Sequence, residues 1–270
     1  MTTRTVEHPR VVSKEEWIAA RKELLKEERT FTHQRDVLSA RRREMPWEKV
    51  EKEYIFDTPA GKKSLGELFA GRSQLIVYHF MFGPDWTEGC PSCSFIADTF
   101  DGVTIHLAHR DTTLTAISRA SMEQIEAFKK RMGWRFPWAS SNGNEFNFDF
   151  GVSFRKEDRK DGKVRYNYEE TDFPSDEAPG ASVFYKDASG AIYHTYSTFA
   201  RGLDILLTAY NYLDMVPKGR DEDPAIQYKM SWVRHHDKYG DGYKIDPKGE
   251  YVAPIAAAAT AKGGCCEHHS

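Results

Sequence analysis

The sequence predicts an α/β domain built on a parallel core, and three observations carry that prediction. Residues 74–82, QLIVYHFMF, form a near-continuous apolar run rich in β-branched and aromatic side chains, as a central strand covered on both faces requires. Two strand-then-helix patterns follow in succession, 74–82 with 94–107 and 113–118 with 121–132, an order that places strands side by side in parallel. Beyond them, 181–185 and 191–196 read as two strands around Lys-Asp-Ala-Ser-Gly, the pattern of a β-hairpin.

The remaining elements follow in chain order. Residues 13–43 are highly charged, with Trp17, Ile18, Leu24, Leu25, Phe31 and Leu38 spaced as a helical stripe, and Ser13 with Glu16 three residues later marks a capped start. This predicts a peripheral amphipathic helix. Its basic end, Ala40-Arg41-Arg42-Arg43, reads as a solvated terminus favoured by the helix dipole rather than as an anion site. Residues 54–56 read as a short strand and 64–69 as a brief helix, while Gly102 is expected to break or shorten the helix over 94–107. Residues 136–150 are turn-rich and aromatic. Residues 155–170 are dominated by charge with little periodicity, which predicts an exposed insertion. A last helix is expected over 203–213, after which Pro217, Gly219 and Pro224 punctuate the chain, and the end, APIAAAATAKGGCCEHHS, is low in complexity. The expected organisation is a helical N-terminal extension over 1–50, one domain over 51–234, and a C-terminal extension over 235–270 with a flexible Cys/His tail.

Composition narrows the function. A chain of 270 residues can bury a core without disulfide staples. With 38 basic and 41 acidic residues, no net field favours nucleic acid or an anionic membrane. The start of the chain lacks the apolar region of a secretory signal, and no run approaches the roughly 18–20 apolar residues of a membrane span. A soluble cytoplasmic protein is predicted. In that reducing compartment, two cysteines spaced Cys-x-x-Cys are more plausibly catalytic or metal-binding than a permanent bridge.

That pair, Cys90 and Cys93, lies in GCPSC just after the apolar run. At a strand-to-helix junction, the unpaired amides of the helix start stabilise a thiolate, so Cys90 is the expected nucleophile. Cys93, one turn on, can resolve a mixed disulfide, and Pro91 suits a first turn that has no use for its missing donor.

The order of strand, Trp86 loop, Cys-Pro-Ser-Cys, helix, strand, helix, hairpin and terminal helix resembles the thioredoxin fold. More closely, YHFMFGPDWTEGCPSCSFIADTFDG, VFYKDASGAIYHTYSTFARG and LLTAYNYLDMVPKGRDE resemble a bacterial thioredoxin-like family catalogued as a domain of unknown function, over most of 11–234. The resemblance implies a thioredoxin-like fold with an insertion before the C-terminal hairpin, Cys90 as the nucleophilic thiol, and Cys93 as the resolving one. Thioredoxins also place a cis-proline facing the dithiol just before the hairpin strand. Here Pro179, in Ala-Pro-Gly-Ala-Ser, lies near that place but not directly before Val183, and 150–178 is a large insertion that could narrow the site.

Other residues have weaker claims. Trp86 is expected to pack over the site. Asp85 and Glu88 read as loop carboxylates, since a nearby negative charge raises a thiol's pKa. Arg201, in TYSTFARG, is a candidate site residue from the resemblance alone. His79 reads as a core histidine, and His235 and His236 as polar surface. Cys90 and Cys93 supply two of the four ligands of a structural zinc site, and His106/His109 have no other metal signature, so no metal site and no cofactor are assigned. Cys265 and Cys266, beside His268 and His269, form an accessory dithiol that is either incidental or a relay of electrons to Cys90/Cys93. The expectation is therefore a thiol-disulfide oxidoreductase that meets a thiol/disulfide electron donor or a small oxidised substrate. The alternative is a non-catalytic metal-binding or interaction protein retaining the fold.

Overall fold

The computed structural model describes residues 9–239. The chain opens with α1 (Lys14–Arg43), whose Ser13 and Glu16 form the expected reciprocal cap. Next come the short β1 (Glu48–Lys49), the hairpin β2 (Ile55–Thr58) and β3 (Gly61–Ser64), and the single turn α2 (Leu65–Leu68). The centre is β4 (Gln74–His79), α3 (Pro91–Ala97), α4 (Phe100–Ala108), β5 (Thr112–Ser118), α5 (Met122–Met132) and β6 (Trp138–Ser140). After α6 (Phe146–Asp149) a small separate hairpin, β7 (Lys163–Tyr166) and β8 (Glu169–Asp172), precedes the long hairpin β9 (Gly180–Lys186) and β10 (Ile192–Phe199). A 3-10 segment, Ala200–Leu206, and α7 (Thr208–Leu213) follow.

The sheet order is β1-β10-β9-β4-β5-β6-β2-β3. β4, β5 and β6 run parallel, while β9 is antiparallel to β4 and β10 antiparallel to β9. The unit β10-β9-β4-β5, with helices joining β4 to β5 and the Cys-x-x-Cys at the first strand-helix junction, is the thioredoxin-like arrangement.

Side-chain alternation sorts β4 between two cores. Leu75 and Val77 join Phe56, Phe69, Ile117, Phe146 and Phe184 on one face. Tyr78 and Phe80 join Cys90, Cys93, Phe100, Phe128 and Trp138 on the other. Each fully buried side chain of this size stabilises the fold by ~1.5–3 kcal/mol, which is why the apolar run is legible as a central strand. α5 stops where Gly133 takes φ 68°, a left-handed conformation that an L side chain resists, and Trp134 N–H closes back on the Lys129 carbonyl.

Three expectations are corrected. The helix over 94–107 is two helices that meet at Asp98 and Thr99, not at Gly102, which lies exposed inside α4. The break sits where the Asp98 carboxylate accepts from the Trp134 indole. The charged segment 155–170 is not simply an exposed insertion. β7 alternates outward Lys163 and Arg165 with buried Val164 and Tyr166, which join Val152, Phe154, Ala178 and Phe199 in a third apolar cluster. The last predicted helix is divided, because Leu207 (φ −82°, ψ 71°) leaves helical geometry between the 3-10 segment and α7. Cys265 and Cys266 lie outside the described residues.

Candidate functional site

The backbone beyond β4 keeps its parallel partner: Phe80 N–H donates to the Ile117 carbonyl, and Ala120 N–H to that of Phe82. The loop then returns the dithiol onto this extension. Cys90 N–H donates to the Met81 carbonyl at 3.0 Å, and Met81 N–H points at the Cys93 sulfur at 3.5 Å. The approach is tight: a Cβ on Gly89 would sit 2.5 Å from Phe80 and 2.8 Å from Phe128. Cys90 caps α3, Pro91 is its first residue, and the Cys90 carbonyl accepts from both the amide and the hydroxyl of Ser94.

Neither cysteine is in a disulfide, and each is only 1% exposed. Burial pushes the Cys93 thiol well up, and its hydrogen bond to Cys90 and the Cys90 charge add to the rise; the Tyr78 hydroxyl and the Met81 amide pull the other way. The buried Tyr78 hydroxyl lies within hydrogen-bonding reach of Cys93, and burial followed by the Cys93 charge pushes its own pKa well up. It is placed to donate when Cys93 ionises.

Two more phenols close the site. Tyr166, from the insertion, donates to the Pro179 carbonyl at 2.7 Å and accepts from Ala200 N–H. Burial raises its pKa, and the Cys93 charge adds to the rise. Tyr228 meets the Ser92 hydroxyl at 2.5 Å, and burial followed by the Cys90 charge raises its pKa.

Residues 228–239 lie across the helix start. His235, predicted as polar surface, is instead buried, and its Nε2 donates to the Gly89 carbonyl at 2.7 Å. Burial puts its pKa below the ordinary value, against the upward pull of the Gly89 hydrogen bond and the Glu88 charge. His236 keeps to the surface and pairs with Asp98. Glu88, which reads from sequence as a free loop carboxylate, accepts from Arg131 at 2.6 Å and Lys238 at 2.7 Å. Burial pushes Glu88 up, but the hydrogen bonds from Lys238 and Arg131 outweigh it and hold the carboxyl below its ordinary range. Arg131 also grips Asp237 through two nitrogens.

The residues picked from sequence fall into two groups. Cys90, Pro91 and Cys93 stand together, and Trp86 packs against the same apolar cluster. Pro179 directly precedes β9 and is tied to Tyr166, with no cis peptide bond among the described residues. Arg201 turns its side chain to solvent and pairs with Asp204. His79 is the expected core histidine: Nε2 meets the Ser182 hydroxyl at 2.8 Å, and burial lowers its pKa to about 3. Sequence reasoning missed Tyr78, Tyr166, Tyr228 and His235. Only Tyr166 carries a local signal, the out-in alternation of Lys-Val-Arg-Tyr before a turn.

Fold and site together define a thioredoxin-like protein with a buried dithiol at the first helix start. The chain belongs to a bacterial protein family of unknown function, DUF899, whose model matches residues 6–239. No curated protein matches the chain. Among solved structures it is similar to a cysteine-to-serine mutant of Xanthomonas campestris peroxiredoxin Q, at 15% identity over 58% of this chain and 90% of that one, with a TM-score of 0.39. It is similar also to peroxidoxin BcpB from Mycobacterium tuberculosis, at 13% identity over 61% of this chain and 94% of that one, with a TM-score of 0.41. A peroxiredoxin-like protein from Aquifex aeolicus matches at 13% identity over 55% of this chain and 72% of that one, with a TM-score of 0.36. No helix among the described residues is long and apolar enough to cross a membrane.

Proposed function

We propose that the protein is a thiol-disulfide oxidoreductase that works through Cys90 and Cys93. The observation that carries this reading is geometric: two cysteines that form no disulfide stand one helical turn apart at the start of α3, and burial, the hydrogen bond to Cys90 and the Cys90 charge push the Cys93 thiol well up. Cys90 is the thiolate that attacks. Its sulfur bonds to one sulfur of a disulfide substrate, and the other substrate sulfur leaves with the electron pair and takes a proton. Cys93 then loses its proton, with Tyr78 and the Met81 amide as donors to the new thiolate, and attacks the Cys90 sulfur. The second substrate thiol leaves. The substrate has gained two electrons, the protein holds a Cys90–Cys93 disulfide, and an external dithiol donor resets it.

The test uses a variant with Cys265 and Cys266 replaced by Ser, titrated in a defined dithiol/disulfide buffer. A reversible two-electron Cys90–Cys93 couple is expected, with turnover abolished in Cys90→Ser and a trapped mixed disulfide in Cys93→Ser. Absence of a reversible disulfide together with stoichiometric zinc would replace this reading with metal binding. Among the described residues no group of three or more His, Cys, Asp and Glu converges on such a site.

A further inference from the structure

On the face of the sheet away from the dithiol, a line of polar side chains runs through an otherwise apolar layer, and the thiol chemistry does not use it. β4 turns Tyr78 toward the cysteines and His79 to the other side, where its ring lies against Phe146 and Phe150. From His79 Nε2 the line runs to the Ser182 hydroxyl at 2.8 Å, to the Ser197 hydroxyl at 2.8 Å, and to His194 Nε2 at 2.7 Å. His194 Nδ1 then faces a Glu48 carboxylate oxygen at 3.3 Å. His194 and Ser197 stand three residues apart on β10 and share a face because the β9–β10 register slips between His194 and Tyr196, as a bulge allows.

Burial fixes the direction of this line. His79 is 1% exposed, and burial lowers its pKa to about 3, so the ring is neutral near neutral pH. Its Nδ1 has no hydrogen-bond partner among the described residues, so the single ring proton belongs on Nε2 and is donated to Ser182. Ser182 is fully buried and passes its own proton to Ser197, which aims its O–H at His194 Nε2. His194 Nε2 is therefore the unprotonated ring nitrogen, and Nδ1–H points to Glu48 at the solvent rim. A hydroxyl held by an imidazole that a carboxylate orients is the arrangement that turns serine into a nucleophile. The line also opens outward: Ser197 and His194 line a cleft of about 830 Å³ with Phe150, Phe154, Phe199 and Tyr168. β1 pairs with β10 only at His194 and Tyr193, and past that point the Tyr168 hydroxyl reaches the Ser197 carbonyl at 3.3 Å.

The geometry points to a second active site, at which Ser197, His194 and Glu48 hydrolyse a small carboxylic ester whose apolar acyl group packs among Phe150, Phe154 and Phe199. Ser197 Oγ bonds to the ester carbonyl carbon while its proton passes to His194 Nε2, and the Tyr168 hydroxyl is the donor on the cleft wall for the oxyanion. The tetrahedral intermediate expels the alcohol, which takes the proton from His194, and the acyl group stays on Ser197. Water then gives a proton to His194 and adds to the acyl carbon. Ser197 Oγ leaves, regains the proton, and the carboxylic acid is released.

The test treats the full reduced chain with an alkyl fluorophosphonate, which modifies activated serines, and with p-nitrophenyl butyrate, and maps the adducts by peptide mass. Both reagents should modify Ser197, and Ser197→Ala should abolish the fluorophosphonate adduct and the serine-bound butyryl group. His194→Gln should slow labelling about a hundredfold or more, the share a general base contributes. Glu48→Gln, which changes an exposed side chain and leaves the core untouched, should slow it about tenfold, since an exposed carboxylate orients a ring less firmly than a buried one. The Cys90–Cys93 couple, on the other face of the sheet, should titrate in each variant as in the parent, which reports an intact fold. No adduct at Ser197 in the parent chain overturns the proposal. So does a labelling rate that neither His194→Gln nor Glu48→Gln changes, or ester turnover undiminished in Ser197→Ala, which would assign it to the thiols.

Discussion

Two segments outside the thioredoxin-like unit cover the dithiol, and they are fastened differently. The insertion, 151–178, brings its own hairpin and apolar cluster, with Tyr166 ringed by Phe154, Phe173 and Phe199 and its hydroxyl fixed between Pro179 and Ala200. The strap, 228–239, packs Trp232 against Phe95 and Tyr210, but it reaches the helix start through polar side chains: Tyr228 to Ser92, His235 to Gly89, Lys238 to Glu88, and Asp237 to Arg131. Apolar burial is lost only when a segment unfolds. The Lys238–Glu88 and Asp237–Arg131 pairs lie near solvent and exchange for water at small cost, so opening on the strap side is expected to expose Cys90 first.

The largest expected effect comes from breaking the insertion. Tyr166→Ala removes a buried ring and leaves two backbone groups unpaired, so it should cost about 3–5 kcal/mol in urea unfolding, with little dependence on salt. A loss below about 1 kcal/mol would show that the cluster does not hold the insertion. The next effect comes from the strap. Glu88→Gln takes away the carboxylate shared by Arg131 and Lys238, contacts whose net value partial exposure reduces to about 1–2 kcal/mol. Alkylation of Cys90 should then run about tenfold faster, and the unsubstituted protein should approach that rate at high salt. Unchanged labelling in both conditions would sink the idea of an electrostatic latch.

What is legible in the sequence follows the same division. β4, the Cys-x-x-Cys junction and the β9–β10 hairpin announce themselves by local chemistry: an apolar run, a spacing, and a turn between alternating strands. Their contacts are between neighbours in the thioredoxin-like unit, so pattern and fold agree. The covers depend on long-range contacts. Tyr228 and Ser92 are separated by 136 residues, and His235 and Gly89 by 146. Nothing near His235 in Arg-His-His-Asp-Lys distinguishes the ring that is buried from the next one, which is exposed. The insertion reads as mere surface because charge masks its period: in Lys-Val-Arg-Tyr the charged residues are the outward half of a strand.

Acid should move the two covers in opposite directions. Burial pushes Glu177, paired with Arg119, up from 4.5 to about 7, so its contribution favours the fold below 4.5 and is lost as pH rises through 7. The insertion therefore tightens between pH 7 and 4.5. Burial lowers His235 from 6.5, so its contribution is present above 6.5 and lost as pH falls. Asp237, held at about 2 by the Arg131 hydrogen bonds, loses its contribution only below 3.8. Hydrogen exchange corrected for intrinsic rates should show 228–239 opening more, and 163–178 less, as pH falls from 6.5 to 4.5. Parallel changes in both segments would refute the independence of the covers. The smallest expected effect isolates a single fastening. Tyr228→Phe keeps the buried ring and deletes its hydroxyl bond to Ser92, a net loss of ~1 kcal/mol that should speed Cys90 alkylation about fivefold. Because no charge is removed, salt should accelerate this variant as much as the parent. If Tyr228→Phe abolished the salt effect, the hydroxyl and the Glu88 cluster would act as one latch rather than two.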